Sequence, residues 1–304
     1  MKKALVLYSG GLDSRLVIRM LQEQNFQIIA LNFLLPFECK GCNFDEKKKL
    51  GIKESIGENV ELLTIDINKE PLLSKYLDIL KNPKFGTGSG INPCKDCKIF
   101  MFRKAKEYAD KHNIKIIATG EVIGQRPMSQ IPSAIRIIDK ELGFEILRPL
   151  CAKQLKETSF EKNKLVDRNK FLNISGRGRK IQIALAEKYK IKYPTPGGGC
   201  FLCEKEPSLR LKHLLDNNLI NEKTLSLTRI GRHFFIDNIW FVVARDAKES
   251  KIISKFSNCI KDNKGNPAIY FNKKEERQKA LELQEAYSTG DNIDKRKKFT
   301  KLKL

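Results

Sequence analysis

Residues 3–14 read KALVLYSGGLDS. Residues 3–9 form a continuous apolar run of the kind found in strands buried on both faces. Residues 14–24, SRLVIRMLQEQ, then place apolar side chains at helical spacing. Between them Gly10 and Gly11 let the backbone turn sharply and approach a phosphate closely. The following helix N-terminus offers free N–H groups and a positive dipole end. Ser9, Leu12 and Ser14 complete the turn, the serines as hydroxyl donors. Asp13 is acceptor-only when ionised, so facing a phosphate it needs a bridging cation such as Mg²⁺. The stretch lacks the Gly-Lys-Ser/Thr ending of the usual P-loop. The bland alternative is a plain strand-to-helix turn with an Asp/Ser cap.

Working outward, strand signals recur at 27–34, 61–67 and 114–120, with helical signals at 45–57 and 96–112. This alternation predicts an α/β fold with a doubly wound parallel sheet. After about residue 150 the pattern changes. A helix is expected over 177–190 and a Pro/Gly loop over 193–200. A short helix from 206 precedes strands at 233–237 and 240–245. These argue a smaller C-terminal α+β domain. The expected boundaries are 1–170 for the nucleotide domain and 171–205 for a basic helix and Gly-Gly-Gly-Cys loop completing the site. A small domain over 206–290 and a basic tail over 291–304 follow. The stretch DKRKKFTKLKL at 294–304 reads as mobile.

The chain has 304 residues, 58 Lys+Arg against 36 Asp+Glu, a net charge of +22 and 41% hydrophobic content. That composition excludes a mostly disordered or collagen-like chain. No apolar run reaches the roughly 18 residues a membrane helix needs, so no membrane partner is expected. The N-terminus lacks a signal-peptide pattern, which predicts a cytoplasmic protein. The charge points to a polyanion such as nucleic acid; a general lysine bias is the competing explanation.

Six of the eight cysteines fall in Cys-x-x-Cys pairs: Cys39/Cys42, Cys94/Cys97 and Cys200/Cys203. In a cytosolic chain such pairs point to metal, iron–sulfur or redox chemistry rather than disulfides. Cys94 and Cys97 open a helix candidate, where i and i+3 thiols point the same way and the helix N-terminus favours thiolate. With Cys200, three thiolates from two segments can hold three irons of a [4Fe-4S] cluster and leave the fourth open for an exogenous sulfur. Cys97 and Cys200 can instead act as a persulfide and resolving pair. Adding Cys203 gives a four-thiol set that zinc would accept. Cys39 and Cys42 read as a metal knuckle, a persulfide relay or plain loop thiols. Cys151 and Cys259 read as packing or surface residues.

The expected end of the fourth strand, Thr119-Gly120-Glu121-Val122-Ile123-Gly124-Gln125-Arg126-Pro127-Met128-Ser129-Gln130, lies where open α/β sheets bind ligands. Gln125 is a neutral hydrogen-bonder, and Arg126 can clamp a phosphate bidentately. Ser175-Gly176-Arg177-Gly178-Arg179-Lys180 can hold phosphates with its basic side chains and the following helix start, and Arg126, Arg177, Arg179 and Lys180 are the expected RNA-binding residues.

The six residues Ser9–Ser14 resemble the SGGxDS signature of the PP-loop ATP pyrophosphatases, which have an adenine nucleotide alpha hydrolase-like fold. The Pro93–Lys98 segment and Cys200 resemble the three-cysteine stretch of the cluster-dependent tRNA thiolation enzymes. Residues 119–130 resemble a segment of the 4-thiouridine synthetases that lines the nucleotide and target-base site. The resemblance implies ATP-dependent sulfur insertion into a tRNA uridine through an adenylated base. It makes Ser9–Ser14, Gly120 and Gln125 the ATP site, Cys94, Cys97 and Cys200 the cluster ligands, and Asp13, Cys97 and Cys200 catalytic. ATP, Mg²⁺ and a [4Fe-4S] cluster are the implied cofactors, with zinc as the alternative. A sulfide or persulfide donor is the implied partner beside tRNA, and the reading leaves room for a homodimer. The competing functions are a PP-loop enzyme acting on a small molecule and a zinc-stabilised RNA-binding protein.

Overall fold

Strand β1 (Lys2–Leu7) pairs in parallel with β2 (Phe26–Leu34) on one side and β4 (Ile116–Thr119) on the other, so that Leu5 stands between Ile29 and Ile117. With β3 (Val60–Asp66) beyond β2, the order is β3-β2-β1-β4, all parallel. Ala4, Leu5, Val6, Ile28, Ala30, Leu31 and Ala118 are fully buried, as the unbroken apolar runs demand. The computed structural model describes residues 2–38, 60–195, 200–263, 265–288 and 292–304. They divide into two units, Met1–Glu204 and Lys205–Leu304.

In the first unit the sheet builds outward from β1 in both directions. Helix α1 (Leu12–Gln22) buries Leu16, Val17, Ile18 and Leu21 against the strands. It starts two residues before the expected position because Gly11, in extended conformation, is its N-cap. Two helices absent from the sequence reading follow: α2 (Leu72–Lys81) and, after the cysteine helix α3 (Cys94–Lys111), α4 (Pro132–Leu142). Leu147 extends the sheet past β4, its N–H donating to Ile117 O at 2.9 Å and its carbonyl accepting from Thr119 N at 3.0 Å. The helix expected at 177–190 shortens to α5 (Lys180–Lys188). The preceding backbone is engaged elsewhere: Ser175 bridges Ile123, and Gly176 N donates to Ile123 O at 2.7 Å. The helix expected at 45–57, Cys39, Cys42 and Gly197–Gly199 lie outside the described residues.

The second unit begins with α6 (Lys205–Asp216) and carries an antiparallel sheet of order β5-β6-β8-β7. Its strands are β5 (Arg232–Ile236), β6 (Ile239–Val243), β7 (Cys259–Ile260) and β8 (Ile269–Phe271). Asp237 and Asn238, both at positive φ (49° and 62°), close the β5–β6 hairpin in the manner of a primed turn. One face buries Phe234, Phe241, Val243 and Phe271 against Ala280 and Leu283 of helix α8 (Arg277–Ala286); the short helix α7 (Ala247–Ile253) joins β6 to β7. His233 is a core residue: its Nδ1 accepts from Trp240 Nε1 at 3.0 Å, and burial pushes its pKa down to about 3.

The mobile tail expected at 294–304 is instead ordered. Helix α9 (Ile293–Thr300) buries Phe299 in that core, and residues 302–304 pair with β5 through Phe235 N to Leu302 O (3.2 Å) and Leu304 N to His233 O (2.9 Å). Charge counting is blind to this, because one buried aromatic ring and backbone pairing at an open sheet edge anchor the segment.

Candidate functional site

The Ser9–Ser14 turn follows β1 at the point where the strand order reverses between β1 and β4, the position at which open parallel sheets bind ligands. Gly10 takes a left-handed conformation (φ 76°) that glycine adopts without strain. Arg15, fully buried, donates from Nε to Gly10 O at 3.0 Å and lies over the Tyr8 ring, which fixes the turn from below. Ser14 Oγ donates to Gly11 O at 2.9 Å. Leu12 sends its side chain into the core, leaving only its backbone to face a ligand.

Gly120 supplies the second half of the cradle. A Cβ on it would stand 2.7 Å from the Asp13 carbonyl carbon and 2.8 Å from Ser14 N. No side chain fits there, so the end of β4 and the turn touch backbone to backbone. Gln125 Nε2 then donates to Asp13 Oδ2 at 3.1 Å. Burial raises the Asp13 carboxyl, while the Gln125 hydrogen bond, the charges of Arg179 and Arg126, and nearby Gln182 pull it back. The structure thus gathers Asp13, Gly120, Gln125, Arg126 and Arg179 around one turn. Arg177 and Lys180 are exposed on the segment that carries Arg179.

The thiols form a second group. Cys94 and Cys97 occupy the first turn of α3, and Asn92 Nδ2 donates to Cys94 Sγ at 3.2 Å. Cys200 pairs with Glu38 in an antiparallel bridge, and Phe201 N donates to Phe37 O at 3.0 Å. Ile91 N donates to Leu202 O at 3.1 Å, and Ser89 Oγ to Cys203 O at 3.3 Å. These bonds bring the Cys200–Cys203 segment onto the N-terminus of α3. Cys200 feels the charges of Cys97, Cys203 and Cys94, and Cys203 feels that of Cys94. The buried Tyr76 hydroxyl lies 3.5 Å from Cys97 Sγ.

Burial pushes the Cys97 thiol up to about 11 and the Cys200 thiol up to about 12, against the helix end that favours the thiolate. Four soft thiols on two segments suit iron or zinc, which would displace their protons. Among the described residues no three Cys, His, Asp or Glu side chains stand at metal-holding geometry. The donor set fits the implied group in chemistry.

Two features tie these groups together. Arg126 is close enough to lower both Asp13 and Cys203 by its charge. Lys98, next to Cys97 on α3, is ion-paired with the buried Glu121, next to Gly120. Arg148 Nε reaches the same carboxylate at 2.9 Å and Arg148 Nη2 reaches Asp139 of α4 at 2.7 Å. Burial alone would raise Glu121, but Lys98 and Arg148 hold it below its ordinary value. Cys151 Sγ donates to Glu121 O at 3.3 Å, a packing role. Sequence reasoning missed this network, Tyr76 and Gln182. Their partners lie far apart in sequence, and only the motif-embedded Lys98 and Glu121 carried any local signal.

Among the described residues no helix is long and apolar enough to cross a membrane. The chain is similar to the tRNA-specific 2-thiouridylase MnmA of Petrotoga mobilis, with 32% identity over 134 residues, 40% of this chain and 36% of that protein. It is similar to the tRNA sulfurtransferase of Shewanella frigidimarina, with 28% identity over 158 residues, 49% of this chain and 28% of that one. It thus spans well under half the length of these curated relatives. A solved 4-thiouridine synthetase–RNA complex with bound ATP superposes on 62% of this chain and 50% of its own, with 20% identity and a TM-score of 0.38. The family model described as thiamine biosynthesis protein ThiI matches residues 1–170, more than half of the chain, and the protein belongs to the ThiI family.

Proposed function

We propose that the protein is an ATP-dependent tRNA sulfurtransferase. Mg²⁺-ATP lies across Ser9–Ser14, with its phosphates at the start of α1. Arg126 and Arg179 neutralise the triphosphate, and Gly120 lets the backbone close under it. The carbonyl oxygen of a uridine attacks the α-phosphorus, pyrophosphate leaves, and the base becomes adenylated. Sulfide adds to the activated carbon, and AMP departs with the oxygen; a persulfide adds in the same way, and a second thiol then attacks its inner sulfur, forming a disulfide and leaving the outer sulfur on the base. The chain's contribution is electrostatic stabilisation of phosphate charge and placement of two poor reactants side by side. The target base must leave its stack to enter, with Arg177 and Lys180 on its backbone phosphates.

Cys94, Cys97 and Cys200 would hold a [4Fe-4S] cluster, which when bound supplies an open iron for an exogenous sulfur. Cys203 within the thiol group favours one alternative, a closed four-thiol zinc site. The tRNA-modifying activities named for the relatives support the reading. The observation that supports it most is the ion pair between Lys98, next to Cys97, and Glu121, next to Gly120.

The test is anaerobic incubation with Mg²⁺-ATP, sulfide and total tRNA, followed by pyrophosphate assay and nucleoside mass spectrometry. One thionucleoside and tRNA-dependent pyrophosphate are expected. Absence of both, with no salt-sensitive tRNA binding, overturns the proposal. Cys203→Ser decides the metal: a brown protein absorbing near roughly 400 nm that survives this change supports the three-cysteine cluster, and loss of one tight zinc supports the alternative.

A further inference from the structure

Tyr76 lies on α2 with 1% exposure, among the buried Leu73, Leu77 and Leu80 of its own helix, and its ring stands 5.9 Å from that of Phe100 on α3. A phenylalanine would fill the same space against these neighbours. What tyrosine adds is a hydroxyl, and taking a hydroxyl out of water costs free energy unless it finds a partner. Its partner is Cys97 Sγ at 3.5 Å. Asn92 repeats the arrangement on the neighbouring sulfur. It is 3% exposed, and its Oδ1 accepts from Gly90 N at 3.1 Å, which turns Nδ2 onto Cys94 Sγ at 3.2 Å. Each sulfur in the first turn of α3 thus meets one neutral side-chain group able to donate to it.

With both groups protonated, either the phenol or the thiol can donate, and a thiol is weak in both roles. A contact this weak is little reason to bury a phenol. A metal-bound sulfur has lost its proton, so the phenol becomes the donor and the sulfur a charged acceptor. Charge of that kind makes a hydrogen bond roughly twice as strong. The contact therefore reaches its full strength only when Cys97 carries a metal. Outer hydrogen bonds of this sort orient a ligand and set how much electron density it passes to the metal. In iron–sulfur centres they also shift the reduction potential.

We propose that Tyr76 is a positioning residue for the metal held by the thiol group, donating a hydrogen bond to the Cys97 sulfur once the metal has displaced its proton. This rests on the metal reading above, holds for iron and zinc alike, and gives a role to a residue of α2 that lies outside every cysteine motif.

The experiment is anaerobic titration of the full metal-free chain with Co²⁺, for wild type and Tyr76→Phe, following the sulfur-to-cobalt charge-transfer band, together with thermal melts of the metal-free protein. Losing the bond returns electron density to the sulfur, so the band should move to longer wavelength. Without the phenol the proton competes better for Cys97, so Co²⁺ affinity at about pH 7 should fall about tenfold. The metal-free melting temperature should change by less than about 3 °C, because the phenol–thiol bond is weak. An unmoved band, or an affinity that holds or rises, overturns the proposal. A metal-free melting temperature lowered by more than that makes Tyr76 a structural residue and overturns it as well. If wild type gives no charge-transfer band, the metal reading itself fails, and the role of Tyr76 falls with it.

Discussion

The nucleotide turn and the thiol group stand side by side in one unit, yet they are built in opposite ways. The turn is finished by the fold alone. Gly120 meets the Asp13 backbone with no room for a methyl group, Arg15 locks Gly10 from below, and Gln125 fixes Asp13. The thiol group is only assembled. Hydrogen bonds with the Phe37 carbonyl, the Ile91 N–H and the Ser89 hydroxyl bring the Cys200–Cys203 segment to the start of α3. Burial pushes Cys97 up to about 11 and Cys200 up to about 12, and among the described residues no three Cys, His, Asp or Glu side chains stand at metal-holding geometry. A phosphate site made of backbone can be pre-formed, because its donors are neutral and need no partner to hold them apart. Thiols cannot be held close as anions without a cation between them. The contrast predicts that nucleotide binding tolerates loss of the thiols, while metal binding completes the structure around them.

The Lys98–Glu121–Arg148–Asp139 network is the joint between the two regions, and breaking it should have the largest effect. Glu121→Ala leaves the half-buried Lys98 without its carboxylate and the buried Arg148 with Asp139 alone. Loss of one partner from a buried ion pair costs about 3–5 kcal/mol. Chemical denaturation should show that loss, and both nucleotide and metal binding should weaken together. If only one of them weakens, the two regions are not joined through this carboxylate.

Asp13→Ala separates the regions. We expect pyrophosphate release to fall by roughly 10²–10³-fold, the scale for losing a pre-organised electrostatic group. The metal content of anaerobically purified protein should not change. Since burial works against the Asp13 charge, the variant should melt no lower than wild type. Retained pyrophosphate release would remove Asp13 from the site.

Gly120→Ala is milder. The added methyl must push the Asp13–Ser14 backbone away, and overpacking of this kind costs about 1–3 kcal/mol. ATP affinity should drop while the thiol region, on α3 and the Cys200 segment, keeps its metal. An unchanged ATP affinity would show that the turn adapts, and that the claim of a rigid cradle is wrong.

The same contrast explains what was legible in the sequence. The turn is local: a strand, two glycines and a helix start within twelve residues, so residues 3–14 announced it. Gly120 was legible as a glycine at a strand end, although its contact with Asp13 was not. The pairing of Cys94 and Cys97 was visible as an i, i+3 spacing. The meeting of those thiols with Cys200 and Cys203 was an inference from cysteine chemistry alone. Tyr76, Arg148 and Gln182 were invisible. Each sits on a helix or loop of ordinary pattern and matters only through a partner distant in the chain. The order of residues 293–304 was hidden for a related reason. Basic composition argues for mobility, whereas Phe299 and the edge of β5 decide the outcome.

The smallest effect concerns pH and isolates the charge in the joint. Glu121 is held below its ordinary value of 4.5 because burial, which raises it, is overcome by Lys98 and Arg148. In the unfolded chain this carboxyl takes up its proton near 4.5, while the folded protein resists until the pH is lower. Between those points the folded state binds fewer protons, so stability falls as pH falls. The contribution is full and flat above about pH 5 and fades through the window below 4.5. Its slope is at most about 1.4 kcal/mol per pH unit for one group. A glutamine in place of Glu121 cannot titrate, so Glu121→Gln should be less stable than wild type at pH 7. The gap in melting temperature should stay constant down to about pH 5 and narrow below it. Other carboxylates lower both curves equally and leave the gap unaffected. A gap that persists unchanged to about pH 3 would mean that Glu121 joins the two regions by shape and hydrogen bonding, with no net gain from its charge.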